Sequence, residues 1–177
     1  PSKLFSCLLQ QFGINIPFSQ LNDRASEFMT SKNSIQHSYS ETYKSFEGVS
    51  GSSYDYYKSY SSILYNKEYD FPIFTLADIP VKYDGKELTP GHYYIEKPDM
   101  TLGFMKLGNV VACEGLARFL LEKGAITLEN IKYQLRASFS IKNDAFKSVI
   151  DWIYSNLDPK LAKKMINFTI GCWNRKE

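Results

Sequence analysis

The sequence predicts an α+β fold, in which helices and short strands occupy separate stretches of the chain. Apolar residues recur at helical spacing near both ends, whereas short apolar runs bounded by turn residues fill the middle. Hydrophobic residues make up 44% of the 177 residues, which is enough for a packed core in a chain of one domain or slightly more. We found no internal repeat and no coiled-coil heptad in the sequence.

Helices are predicted wherever apolar residues return every three or four positions. Residues 3–12 show this spacing and are followed by Gly13, and a second helix is expected from Ser19 as its N-cap. Thr127 is placed to cap a further short helix, on which Lys132 and Arg136 would lie one turn apart. On that helix the two residues could reach phosphate, and a solvated helix face is the alternative. The other predicted helices cover residues 113–124, residues 143–156 and the segment that begins at Pro159.

Strands are predicted between residues 70 and 113, after a polar stretch at residues 30–53 that is rich in Ser, Tyr and Gly. The runs DFPIFTLADI and GHYYIE are typical of strands. A hairpin turn is expected at Tyr83-Asp84-Gly85-Lys86, and a second one at Gly108-Asn109.

Charge and composition exclude several classes of protein. The net charge of +2 is too small for a free-standing nucleic-acid binder, so any basic groove must be local. Three scattered cysteines, with no CxxC pair, argue against disulfides and a zinc site, and the two histidines have no acidic or nucleophilic companions. No apolar run approaches the length of a membrane span, and a soluble, intracellular protein is therefore expected.

The last predicted helix carries an unusual polar stripe. Lys163, Asn167 and Gly171 lie at i, i+4 and i+8, and so share one face. Lysine and asparagine are not buried cheaply without partners, and we expect something polar to lie against this face. A solvated helix face with a chance glycine is the alternative that the stripe alone leaves open.

A second segment, YDYYKSYSSIL, contains one carboxylate, Asp55, followed five residues later by Tyr60. It resembles motif A of the family B DNA polymerases, which runs Asp, two variable residues, then Ser-Leu-Tyr-Pro-Ser-Ile. Asp55, Tyr60 and Ser62-Ile63 match, whereas Lys58, Ser59 and Ser61 stand for the Ser, Leu and Pro. The segment KKMINFTIG resembles motif B, with Lys163, Asn167 and Gly171 matching and Phe168 and Ile170 replacing the Ser and Tyr.

The order of the two motifs is that of the family, and the resemblance implies a partial palm with short antiparallel strands, followed by a helical fingers segment. It divides the chain into residues 1–53 leading into the palm, 54–124 with motif A, and 125–177 with motif B. The GVSGSS turn before motif A is similar to the viral, organellar and protein-primed branch. That branch would place the protein at a viral replication site or in an organelle.

The resemblance also implies roles for individual residues. Asp55 and the carbonyl of Tyr56 would bind Mg²⁺ in a site that holds two metal ions. Backbone N–H groups at Lys58 and Ser59 would meet the triphosphate, and the ring of Tyr60 would exclude a 2′-hydroxyl. Lys163 would neutralise charge during nucleotidyl transfer, with Asn167 and Gly171 completing the nucleotide pocket.

The second carboxylate motif of the family is missing, because no Asp-x-Asp pair occurs in this sequence. We therefore expect an incomplete site that is inactive alone. The expected partners are a DNA primer-template, a deoxynucleoside triphosphate, the remainder of a polymerase chain and, in the protein-primed branch, a protein primer. Two other functions stay open: a non-catalytic nucleic-acid or nucleotide-binding module derived from a polymerase, and a Tyr/Ser-rich interaction domain.

Overall fold

The computed structural model describes residues 2–14, 21–30, 59–65, 68–102 and 105–173. They form a mixed α+β structure, as the sequence predicts. In chain order the elements are α1 Ser2–Gln11, α2 Asp23–Thr30, α3 Ser59–Tyr65, β1 Phe71–Ile73, β2 Val81–Lys82, β3 Gly91–Ile95, β4 Met100–Leu102, β5 Met105–Leu107, β6 Val110–Cys113, α4 Glu114–Glu122, β7 Ile131–Arg136, β8 Phe139–Ile141, α5 Lys147–Asn156 and α6 Pro159–Trp173.

The described residues belong to two compact units, and the chain passes from one to the other more than once. The first unit draws on residues 1–17, 53–70 and 141–177, and the second on residues 18–52 and 71–140. The three consecutive segments expected from the sequence, 1–53, 54–124 and 125–177, do not coincide with these units.

The first unit is helical. Helix α6 packs against α1, α3 and α5, and α3 also packs against α5. Pro159 is the first residue of α6, as predicted, where its missing N–H costs no helical hydrogen bond. Among the side chains of these helices that the structure describes, the buried ones are Leu8, Leu9, Ser61, Leu64, Val149, Ile150, Ile153, Ala162, Met165 and Ile166.

The second unit is built on a four-stranded antiparallel sheet with the strand order β2-β7-β3-β6. One face of the sheet carries Tyr93 and Ile95, which are fully buried against α4. Two smaller sheets pair β1 with β8 and β4 with β5. Helix α2 is capped by Asn22, whose Oδ1 accepts the Ala25 N–H at 2.8 Å. Ser19, the cap that the sequence predicts, lies outside the residues that the structure describes.

Both predicted hairpins are wrong. Strand β2, which precedes the Tyr83–Lys86 turn, pairs with β7 and not with the next strand along the chain. Gly108 and Asn109 connect β5 to β6, and these two strands lie in different sheets. Turn residues alone therefore identified where the chain bends, but not which strands pair on either side of the bend.

Helix α4 is tied to the loop before β3 by a partly buried guanidinium. Arg118 Nε donates to Glu114 Oε1 at 3.0 Å, one turn away on the same helix. Nη2 of Arg118 donates to the Leu88 carbonyl. Burial alone would lower the pKa of Arg118, but the hydrogen bond and charge of Glu114 outweigh it, and the pKa is raised. The cation is therefore a permanent part of the fold.

Candidate nucleotide-binding site

Helix α3 begins at Ser59, inside motif A, and Ser59 is the one residue of the motif before Tyr60 that the structure describes. Asp55, Tyr56 and Lys58 lie outside the residues that the structure describes. Tyr60 stands in the first turn of α3, and 53% of its surface is exposed. An exposed ring at this position is accessible to a ligand.

Helix α3 is anchored to α5 by side chains to which the motifs assign no role. Ser61, which replaces the proline of the family motif, lies inside the helix, is buried, and has its hydroxyl 2.9 Å from the hydroxyl of Tyr154 on α5. Tyr65 donates to Asp151 at 3.4 Å, and the ammonium of Lys147 lies 5.0 Å from the centre of the Tyr65 ring. The hydroxyl of Ser61 therefore connects α3 to α5.

The motif B residues lie on one helix, as the sequence predicts. Lys163, Asn167 and Gly171 all belong to α6, and the side chains of Lys163 and Asn167 are exposed. The buried face of α6 is formed by Ala162, Met165 and Ile166. Because three positions at i, i+4 and i+8 cover about 12 Å of helix, the stripe is long enough to follow a triphosphate.

The two motif helices belong to the same unit and pack against each other. Strands β1 to β8 and helices α4 and α5 separate them in the sequence. The fold thus brings the helix of Tyr60 next to the helix of Lys163 and Asn167. Ser59 is the first residue of α3, where a backbone N–H has no acceptor within its own helix.

Lys132 and Arg136 do not lie on a helix. Only a short 3-10 turn, Leu128–Asn130, follows Thr127, and both residues belong to strand β7. The segment IKYQLR alternates apolar and polar residues, which is the period of a strand and is the signal that could have identified it. The assignment of residues 125–177 to fingers helices needs the same correction, since β7 and β8 fall within it.

Arg136 is held in a bidentate ion pair. Its two terminal nitrogens donate to the carboxylate of Asp84 at 3.2 and 3.0 Å. The backbone N–H of Lys86 and the charge of Arg136 lower the pKa of Asp84. The guanidinium is therefore already neutralised within the fold, which argues against a role for Arg136 in binding phosphate, whereas Lys132 is exposed.

Among the residues that the structure describes, no three His, Cys, Asp or Glu side chains lie close enough together to hold a metal ion. Asp55 and Tyr56 offer a carboxylate and a carbonyl, and both are oxygen ligands of the kind that Mg²⁺ prefers. By the chemistry of their donors these two residues fit part of a magnesium site.

No described helix combines the length and the apolar character needed to cross a membrane. Comparison with known proteins found no match to this chain among family models, curated proteins or solved structures.

Proposed function

We propose that this chain carries the nucleotide-binding part of a DNA-directed DNA polymerase of family B, with part of the palm and the fingers. The observation that carries the proposal is that α3 and α6, the helices of the two motifs, pack in one unit with Tyr60, Lys163 and Asn167 exposed. Residues that bind one nucleotide must be accessible to it and must lie on neighbouring elements, as these three do. If any of them only packed in the hydrophobic core, its side chain would be buried.

On the fingers side, α6 presents the groups that hold the triphosphate. The ammonium of Lys163 offers three donors to phosphate oxygens and compensates the negative charge that develops as the phosphoryl group is transferred. Asn167, one turn later, donates an amide hydrogen bond to the same pocket. Gly171 has no side chain, which lets the substrate approach the helix closely.

On the palm side, α3 selects the sugar. The ring of Tyr60 lies beneath the deoxyribose, and a 2′-hydroxyl collides with it, so ribonucleotides are excluded by a clash. The backbone N–H groups of Lys58 and Ser59, before and at the start of α3, donate to the triphosphate. This arrangement needs a ring that is exposed and a helix that is held firmly, and the Ser61 contact with Tyr154 supplies the second requirement.

Asp55 and the Tyr56 carbonyl would hold magnesium, which stabilises the attacking and leaving oxygens of the in-line transfer when it is bound. A complete site also requires the second carboxylate motif of the family, and this sequence has no Asp-x-Asp pair to provide it. The second carboxylate motif, the primer-template and, in the protein-primed branch, a protein primer are therefore supplied from outside these residues. The missing pair also favours the second candidate, a non-catalytic nucleotide-binding module derived from a polymerase.

The role of Tyr60 is tested by comparing the affinities of the chain for dATP and ATP in the presence of Mg²⁺. We expect Tyr60→Ala to bring ATP binding close to dATP binding, a change of about tenfold in the ratio, because the clash with the 2′-hydroxyl is removed. Ile63→Ala, on the same helix and similarly exposed, is the matched control and should leave the ratio unchanged. A ratio that is identical in the wild type and in Tyr60→Ala would show that this ring is not a sugar gate.

A further inference from the structure

One row of side chains crosses all four strands of the large sheet in the second unit. Strand pairing aligns Lys82 with Tyr133, Tyr133 with Tyr94, and Tyr94 with Val111. Neighbouring strands lie about 4.8 Å apart, so the row extends roughly 14 Å across the sheet. It consists of one cation, two aromatic rings and one aliphatic side chain, and we call it the tyrosine row.

The face that carries the tyrosine row is covered at one end and open at the other. Two residues further along each strand, Leu135 and His92 lie on the same face. Leu135 is fully buried against Ala25 of α2, and the rings of Phe74 and His92 lie 5.6 Å apart. In contrast, Tyr133 is 50% exposed, and Lys82 is also exposed.

The two tyrosine rings are arranged so that they do not cover each other. Their centres are 6.3 Å apart and their planes are inclined by 48°. A parallel stack would hide one face of each ring, and the tilted pair does not form such a stack. Tyr133 is exposed and Tyr94 is half-buried, so both rings keep part of their surface uncovered.

The four strands that carry the row contain basic residues and no acidic ones. The charged residues are Lys82, Lys132 and Arg136. Arg136 is paired with Asp84, whereas neither lysine has an ion-pair partner among the residues that the structure describes. Lys132 stands beside Tyr133 at a register shift, since Tyr94 pairs with Tyr133 but Ile95 pairs with Ile131. The shift leaves two consecutive residues, Lys132 and Tyr133, exposed.

We infer that the tyrosine row is a docking surface for single-stranded DNA. Bases stack on the rings of Tyr133 and Tyr94, and the ammonium groups of Lys82 and Lys132 contact the phosphates on either side. A duplex keeps its bases stacked inside and gains nothing from exposed rings, and an apolar partner would leave two cations without compensation. The row uses no residue of motif A or motif B, and only the choice of DNA over RNA rests on the proposed function.

The test is the fluorescence anisotropy of a labelled oligothymidylate of about twelve nucleotides, titrated with the whole chain at low salt in EDTA. We expect Tyr133→Ala to weaken binding by about tenfold and Tyr133→Phe, which keeps the ring, to bind like the wild type. Phe139→Ala is the matched control, because this aromatic of the same unit is 62% exposed but lies outside the row. Lys82→Ala should reduce the salt dependence of the binding constant by about 0.7 in slope.

Three results would overturn the inference. They are unchanged affinity in Tyr133→Ala, equal affinity for a duplex of the same length, and tighter binding of the corresponding RNA than of the DNA. Because EDTA removes divalent metal and no nucleotide is added, these measurements are independent of the Tyr60 experiment. Either the tyrosine row or the nucleotide site can thus fail without the failure of the other.

Discussion

At the scale of single residues, Asp78 shows how one carboxylate can hold two loops together. It is buried, accepts the Thr75 N–H at 2.7 Å and the Ser138 N–H at 3.3 Å, and also accepts the Ser138 hydroxyl. Burial alone would raise the pKa of Asp78, but these donors outweigh it, and the pKa is lowered. The sequence did not indicate this role, because Ser138 lies sixty positions further along the chain.

Removing the Asp78 carboxylate should destabilise the protein. We expect Asp78→Ala to lower the free energy of unfolding at pH 7 by about 2 to 3 kcal/mol, because buried donors lose a charged acceptor. A pKa lowered by folding stabilises the protein above the unfolded value of about 3.9, and this contribution disappears as the pH falls through the folded pKa. The difference in stability between the wild type and Asp78→Asn should therefore be smaller near pH 3 than at pH 7, when both are measured by thermal unfolding.

Asp99→Asn is the control for this measurement, since Asp99 is exposed. Its difference from the wild type should be small at both pH values. If Asp78→Asn differed from the wild type equally at pH 7 and near pH 3, the ionised carboxylate would not be the stabilising group. Lys163 and Asn167 lie on one helix, as the sequence predicts, and their side chains are exposed. Their part in nucleotide binding stays a prediction.

At the scale of elements, the local spacing of apolar residues predicted where helices form, but it did not predict which strands pair. Apolar residues at i, i+3 and i+4 indicated α1, α4, α5 and α6, because a helix makes its backbone hydrogen bonds within itself. Strand partners depend on residues far away, and both hairpins were wrong for that reason. The sequence predicts a helix after Thr127 that includes Lys132 and Arg136. Thr127 caps only the short 3-10 turn Leu128–Asn130, and the two residues lie on strand β7.

The pairing of β3 with β7 depends on the absence of a side chain at Gly91. A Cβ at this position would lie 2.3 Å from the carbonyl oxygen of Leu135. This oxygen belongs to the backbone, so it cannot move aside as the end of a flexible side chain would. We expect Gly91→Ala to destabilise the protein by about 1 to 3 kcal/mol, because overpacking forces the backbone to shift. Chemical denaturation of the two proteins measures this difference.

Gly108→Ala is the matched control, because a Cβ there meets nothing within 4 Å. This variant should unfold at nearly the same denaturant concentration as the wild type. Equal stability of Gly91→Ala and Gly108→Ala would contradict the close approach of β3 and β7.

At the scale of the whole molecule, the α+β class was predictable and the division into units was not. Composition and periodicity report which elements form, whereas the first unit collects residues from three separate parts of the chain. Helix α3 carries the described residues of motif A, helix α6 carries motif B, and the two helices pack in one unit. This shared unit is the structural support for the proposal that the two motifs form one site.

The central claim is that the exposed stripe of α6 binds a nucleoside triphosphate, and the neighbouring lysines of this helix allow a direct test. Both Lys163 and Lys164 are exposed, but only Lys163 belongs to the stripe with Asn167. Calorimetric titration of the chain with dATP and Mg²⁺ should show binding that Lys163→Ala weakens about tenfold and Lys164→Ala leaves within about twofold. No binding by the wild type, or equal losses in the two variants, would contradict the account.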